Sequence, residues 1–188
     1  IMKTIVNRIN WSYFPKTNPI PHGLKAAVNI FEKNFIKIDT NTAEELIKKG
    51  KKTKDDRLQS DDVLKILEKD FLDINYKIET GKKKLNKIRV PVLFGDQGKT
   101  AQAFEVDGWH ELNKIVLEVE RGRALANNQF LKDIFEASVM VHIDYLVLAV
   151  SNTYKDSKDY EKICGWLETL YTTNRIKFEL KGILLIGY

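Results

Sequence analysis

Apolar residues recur at helical spacing through the first half of the chain and at strand spacing through much of the second. In "LKAAVNIFEKNFIKI", Leu24, Ala27, Val28, Phe31, Phe35 and Ile38 share one helical face, which predicts a helix over 24–38 lying on a sheet. "DTNTAEELIKKG" predicts a second helix, with Thr42 as its N-cap, Glu45 three residues on as in a capping box, and Gly50 as its stop. A third begins at Ser60 or Asp61 and presents Val63, Leu64, Leu67 and Phe71. Residues 1–24 carry three of the four prolines, so they read as an irregular arm packed down by Trp11, Tyr13 and Phe14.

After residue 86 the period changes. "KIRVPVLFG" is strand-like, with Pro91 pointing to an edge or a bulge. "GDQGKT" lacks the spacing of a phosphate loop and reads as a turn, so no nucleotide cofactor is expected. Strands over 101–107 and 114–121, joined by "GWHELN", are expected to pair antiparallel. A helix over 124–138 turns Leu125, Phe130, Ile134 and Ala137 inward. "VHIDYLVLAV" is apolar throughout, as a strand covered on both faces must be. A helix over 158–172, started by Ser157 or Asp159, and one or two strands in "IKFELKGILLIGY" complete the chain. The pattern predicts one α/β domain over 1–188. Residues 1–86 form an arm and a mainly helical part, and 87–188 form a central mixed β-sheet flanked by helices.

Charge changes this picture modestly. Lys and Arg number 31 against 26 Asp and Glu, a formal +5 that favours polyanionic partners. Lys82, Lys83, Lys84 and Lys87 form the run best placed to meet phosphates, with a solvated surface as the alternative. Cys164 is the only cysteine, which excludes an intramolecular disulfide and a cysteine-rich metal knuckle. Neither an apolar run of membrane length nor a signal peptide is evident, so a cytoplasmic protein without a membrane partner is expected.

The chemistry concentrates in "KIVLEVERGRALANN". Glu118 and Glu120 project from one face of a strand, about 6.6 Å apart, while Leu117 and Val119 take the other. Two acids on a packed face need a positive partner. That partner is either an arginine or lysine in an ion-pair network, or a metal. Asp107, ending the preceding strand, would stand opposite Glu118 across a tight hairpin, so three carboxylates would converge. Oxygen donors of this kind suit Mg2+, with Mn2+ as a substitute and one or two ions per site left open. The expected reaction is hydrolysis of a phosphodiester by an activated water, with Asp107 and Glu118 as metal ligands and Glu120 as a further ligand, water-orienting group or general base.

Asp107 followed by Glu118-x-Glu120 on a strand resembles the PD-(D/E)xK nuclease superfamily, and more closely the BamHI- and BglII-like group of type II restriction endonucleases, in which the final lysine is replaced. The stretch "IVLEVERGRALANN", then a helix, then "IDYLVLAV", is similar to that group, and the likeness covers about residues 88–152. Asp107 matches the first metal-binding acid, Glu118 the acid of the (D/E)xK element, and Glu120 the lysine position. Val106 stands where a proline often precedes the first acid. The resemblance implies a restriction endonuclease-like fold, Mg2+-dependent cleavage of double-stranded DNA at a specific sequence, a homodimer and a prokaryotic source.

Around this constellation, Arg121 and Arg123 are candidates for phosphate contact, with pairing of Arg121 to Glu118 or Glu120 as the alternative. Asn127 and Asn128 could touch DNA or cap the next helix. His110 and Asp144 are possible accessory residues, and Glu68 or Asp70 could reach the site from a helix. The helix at 124–138 or at 158–172 is the expected dimer contact. Competing functions are a nuclease of the same fold in DNA repair or RNA processing, and a non-catalytic nucleic-acid-binding protein whose acids form salt bridges.

Overall fold

The computed structural model describes residues 9–81 and 83–188, apart from the side chain of Asp55. It is a mixed α/β fold with a central mixed sheet flanked by helices and a mainly helical first half. Strand β1 (Asn10–Phe14) leads into helices α1 (His22–Ile38), α2 (Thr40–Lys48) and α3 (Ser60–Asp73). Then come strands β2 (Lys77–Ile78), β3 (Ile88–Phe94), β4 (Thr100–Val106), β5 (Gly108–His110) and β6 (Ile115–Glu120). Helix α4 (Gln129–Val139), strand β7 (Tyr145–Val150), helix α5 (Asp159–Thr173) and strand β8 (Gly182–Gly187) follow. No described helix is long and apolar enough to cross a membrane.

Six strands form the main sheet in the order β1-β8-β7-β6-β5-β2. β6, β7 and β8 run parallel, with Leu117 beside Val147 and Val147 beside Leu184. The outer pairings, β1 with β8, β5 with β6 and β2 with β5, are antiparallel. β7 lies between parallel neighbours and is covered on both faces, so its run "LVLAV" is buried without alternation.

Side-chain alternation divides β6 between two cores. Ile115, Leu117 and Val119 pack with Leu24, Phe31, Leu67 and Phe71 of α1 and α3. Val116 packs with Phe130 and Ile134 of α4 and Ile163 and Leu167 of α5. Period-2 geometry therefore turns Glu118 and Glu120 toward the α4 side. Both are half-buried there, beside Leu148 and Val150 of β7 in the register.

Several expectations need correction. The segment after residue 8 is not an irregular arm, because Asn10–Phe14 forms an edge strand on β8 before the first proline is reached; residues 1–8 lie outside the described chain. The cap of α2 is Asp39, whose Oδ1 accepts from the amides of Asn41 (2.9 Å) and Thr42 (3.2 Å). The Thr42 hydroxyl itself donates to Asp39. β3 and β4 do not join the main sheet but form a separate two-stranded ribbon, with a register shift next to Pro91. β4 therefore does not pair with β6. The antiparallel partner of β6 is β5, which starts just past Asp107. Of the terminal segment, only Gly182–Gly187 is a strand.

Candidate active site

Asp107 occupies the single-residue step between β4 and β5. Because Gly108 pairs with Leu117, Asp107 stands beside the Glu118 position of β6. Its Oδ2 accepts a hydrogen bond from the Val119 amide at 2.8 Å, and its carbonyl accepts from the Glu79 amide at 2.9 Å. Gly108 permits this approach, since a Cβ there would come within 2.8 Å of the Ile78 Cδ1 and 3.2 Å of Leu117. The geometry brings Asp107, Glu118 and Glu120 together at the carboxyl end of β6.

A fourth acid completes the cluster. Asp133 of α4 is buried; its Oδ1 accepts from the Gln129 side-chain Nε2 at 2.9 Å, and its Oδ2 has no hydrogen-bond partner. It lies three residues from Phe130 and one from Ile134, on the inward face of the helix, which is the signal by which the sequence could have revealed it. None of these four acids forms an ion pair with a described lysine, arginine or histidine.

The electrostatic consequence is a set of proton-retentive carboxylates. Burial pushes Asp107 up to about 7 against the pull of the Val119 hydrogen bond, and Glu79, Asp133 and Asp61 add to the rise. Burial likewise raises Glu118 well above its ordinary value, reinforced by Asp107, Asp133, Glu120 and Glu136. Glu120 rises to about 7 through burial and the neighbouring Asp133 and Asp107, with Arg123 and Lys132 opposing. Asp133 rises to about 6, again chiefly through burial. Carboxylates crowded without cations hold protons until a positive charge displaces them.

These donors suit a hard divalent cation, being oxygen-only, partly shielded from water and without an ion pair to a described residue. As placed, no three of the described His, Cys, Asp and Glu side chains converge closely enough to hold an ion by themselves. An ion here would take one or two carboxylates and complete its shell with water and substrate oxygens, as Mg2+ commonly does.

The remaining predicted residues fall into two groups. Arg123 is exposed at the rim, close enough to Glu120 to act on its charge, and Asn127 and Asn128 are exposed ahead of α4 with left-handed backbones and no capping bond from Asn128. Lys87 donates to Glu79 at 2.6 Å and also feels the charge of Asp107. Lys83 and Lys84 are exposed, and Lys82 lies outside the described residues.

Other side chains stand apart. His110 is buried; its Nδ1 accepts from the Asn113 amide at 3.2 Å and its ring meets Tyr76 edge-on. Asp144 sits at the opposite end of β6, donating its amide to the Lys114 carbonyl at 2.9 Å and pairing with Lys181 at 2.9 Å. That places it roughly 13 Å along the strand from Glu118. Asp70 is held by Lys33 and Asn34, whereas Glu68 lines a separate acidic pocket with Asp61, Asp62 and Glu79.

Arg121 does not pair with Glu118 or Glu120. It turns to the α2 side, where its guanidinium lies 4.0 Å from Glu44 with its side chain 2% exposed. Burial lowers its affinity for its proton. Glu44 is already taken by Arg57, whose Nε and Nη2 reach its two oxygens at 2.7 and 2.9 Å. Against known proteins the chain returns no match: no family model, no curated protein and no solved structure corresponds to it.

Proposed function

We propose that this protein is a divalent-metal-dependent endonuclease that hydrolyses phosphodiester bonds of double-stranded DNA, with a restriction endonuclease-like site of the PD-(D/E)xK kind closest to the BamHI- and BglII-like group. The observation that carries the proposal is the placement of Asp107 beside Glu118, with Glu120 two residues on, at the carboxyl end of an interior strand, half-buried and without an ion pair to a described residue. Three such acids are costly as pure structure, because uncompensated buried charge opposes folding.

In this reading Asp107 and Glu118 hold Mg2+, or Mn2+ in its place. When bound, the ion neutralises charge on the phosphoryl oxygens and lowers the pKa of a coordinated water. The chain's own groups do the positioning. The Val119 amide fixes Oδ2 of Asp107, and Oδ1 would serve as the ligand. Glu120, which lines the adjoining cavity, would accept the proton of the attacking water. The water oxygen bonds to phosphorus as the bond to the leaving oxygen breaks, and that oxygen takes a proton from solvent. Arg123 stands at the rim, where it would meet a neighbouring phosphate.

A duplex cut on both strands calls for two sites related by a two-fold axis. Phe135 and Val139 of α4 and Trp166 of α5 are exposed, and the Trp166 ring lies tilted against Phe130 of α4 at 6.2 Å, so exposed apolar side chains stand on both helices. We assign the homodimer contact to them.

The deciding experiment is nicking of supercoiled plasmid by the purified protein with Mg2+, Mn2+, Ca2+ or EDTA. Cleavage with Mg2+ or Mn2+, abolished by Asp107→Asn and by Glu118→Gln, supports the proposal. Duplex retention without cleavage under every metal condition favours a non-catalytic binding protein, and loss of all DNA affinity at low salt removes both.

A further inference from the structure

We propose that the cavity between the carboxyl end of β6 and the start of α3 is a phosphate subsite, with the Arg121 guanidinium as its inner donor and Arg123 as its rim. The cavity measures about 390 Å³ and is lined by Gln59, Ser60, Asp61, Glu120, Arg121, Arg123 and Gln129. No aromatic or aliphatic side chain contributes to this lining, so its chemistry selects a small hydrophilic group and not a base or an apolar ligand.

The charge pattern selects an anion. Arg57 and Arg121 are both buried against a single carboxylate, Glu44, and Arg57 occupies both of its oxygens. Arg121 is left with Nε, Nη1 and Nη2 buried and without a hydrogen-bond partner. A guanidinium in that position has lost its hydration without gaining an acceptor, which is unfavourable unless an anion supplies one. No hydrogen bond holds the group inward, so a swing toward the cavity gives up the long 4.0 Å approach to Glu44, whose two oxygens Arg57 already fills. The planar fork of donors then matches phosphate oxygens in pairs.

Glu120 and Asp61 also face the cavity and would repel an anion. Arg121 and Arg123 on the same lining oppose that repulsion, and Glu120 joins the cavity to the acidic cluster. That the phosphate belongs to a DNA backbone rests on the nuclease reading; the subsite itself does not, and a free phosphate shares its chemistry.

The test is thermal unfolding in EDTA at constant ionic strength, with inorganic phosphate titrated against chloride, for wild type, Arg121→Gln, Arg123→Gln and Glu118→Gln. Phosphate at about ten times its dissociation constant should raise the wild-type midpoint by a few degrees. Arg121→Gln should be at least as stable as wild type without phosphate and should lose the phosphate response, while Glu118→Gln keeps it. Arg123→Gln, on the exposed rim, should weaken the response at least threefold and keeps the test open if Arg121→Gln does not fold. Arg121→Gln less stable than wild type in chloride, with an unchanged phosphate response, overturns the proposal in favour of a structural role. Binding of a short duplex in Ca2+ separates the sources: a loss of about tenfold or more in Arg121→Gln identifies a backbone phosphate. An unchanged duplex affinity with a lost phosphate response identifies a free phosphate. A phosphate response intact in a protein that never cleaves DNA sinks the nuclease reading and leaves the subsite standing.

Discussion

Asp107 Oδ2 accepts a hydrogen bond from the Val119 amide at 2.8 Å, tying the step between β4 and β5 to the strand that carries Glu118 and Glu120. The bond supplies the carboxylate with one donor where it needs several. With the other acids close by and none of them in an ion pair with a described residue, the cluster is poised to take up positive charge, whether protons or a metal ion.

Stability without metal should therefore fall as pH rises. Asp107 and Glu120 titrate near 7 and Asp133 near 6 in the folded chain, all raised above their ordinary values. Between about pH 4 and 7 the folded chain binds more protons than the unfolded one, so unfolding free energy declines with pH through this window. A tenfold change in proton affinity is worth about 1.4 kcal/mol, so the loss should reach a few kcal/mol. Urea unfolding in EDTA at pH 5, 6, 7 and 8 measures it. Mg2+ should restore part of the lost stability at pH 8 and little at pH 5, since protons and metal compete for the same oxygens. A flat profile would show that the carboxylates are compensated by something else.

Asp133→Asn should stabilise the metal-free protein at pH 8 by about 1–3 kcal/mol, because it removes a buried charge whose Oδ2 has no partner while keeping the shape that Gln129 addresses. The same change should lower Mg2+-dependent cleavage through weaker ion binding, visible as a shifted Mg2+ optimum. A destabilised Asn variant would mean that Asp133 is needed as a charge.

Gly122→Ala tests the turn that separates Arg121 from Arg123. Gly122 has φ +73° and a Cβ there would overlap the Tyr154 ring. The left-handed conformation and the overlap together should cost about 2–3 kcal/mol, read as a lowered unfolding midpoint. Gly50→Ala, at φ +67° in open space, carries only the conformational part and should cost less. Equal costs would show that the Tyr154 contact relaxes freely.

Phe135→Asp should yield a monomer in sedimentation velocity and convert double-strand cutting into nicking. Phe135 is 60% exposed, so the substitution disturbs no core packing and the unfolding midpoint of the monomer should change little. A dimer that survives this change and Trp166→Asp lies elsewhere.

Local pattern carried much of this protein. The inward residues of α3, Val63, Leu64, Leu67 and Phe71, are legible from helical spacing alone and all four are buried. The burial of β7 follows from its unbroken apolar run. The alternation of β6 already places Glu118 and Glu120 on the face opposite Leu117 and Val119. These features depend on neighbours within a few residues, where the periods of helix and strand act directly. Capping was less legible, because Asp39 and Thr42 both offer side-chain oxygens and the chain uses the one nearer the helix start.

What the sequence determined by itself was the existence of the main helices, the interior strand and a pair of acids on one face of β6. Tertiary structure alone decided which strand lies beside which. β4 pairs with β3 across a turn and leaves β6 to the three-residue β5, an outcome set by loop closure and by the faces that each core needs covered. It also decided that Asp133 joins the acids from α4 while Arg121 turns away toward Glu44 and Arg57. Convergence of residues far apart in the chain depends on how two cores pack on opposite faces of one sheet, and no local period encodes that.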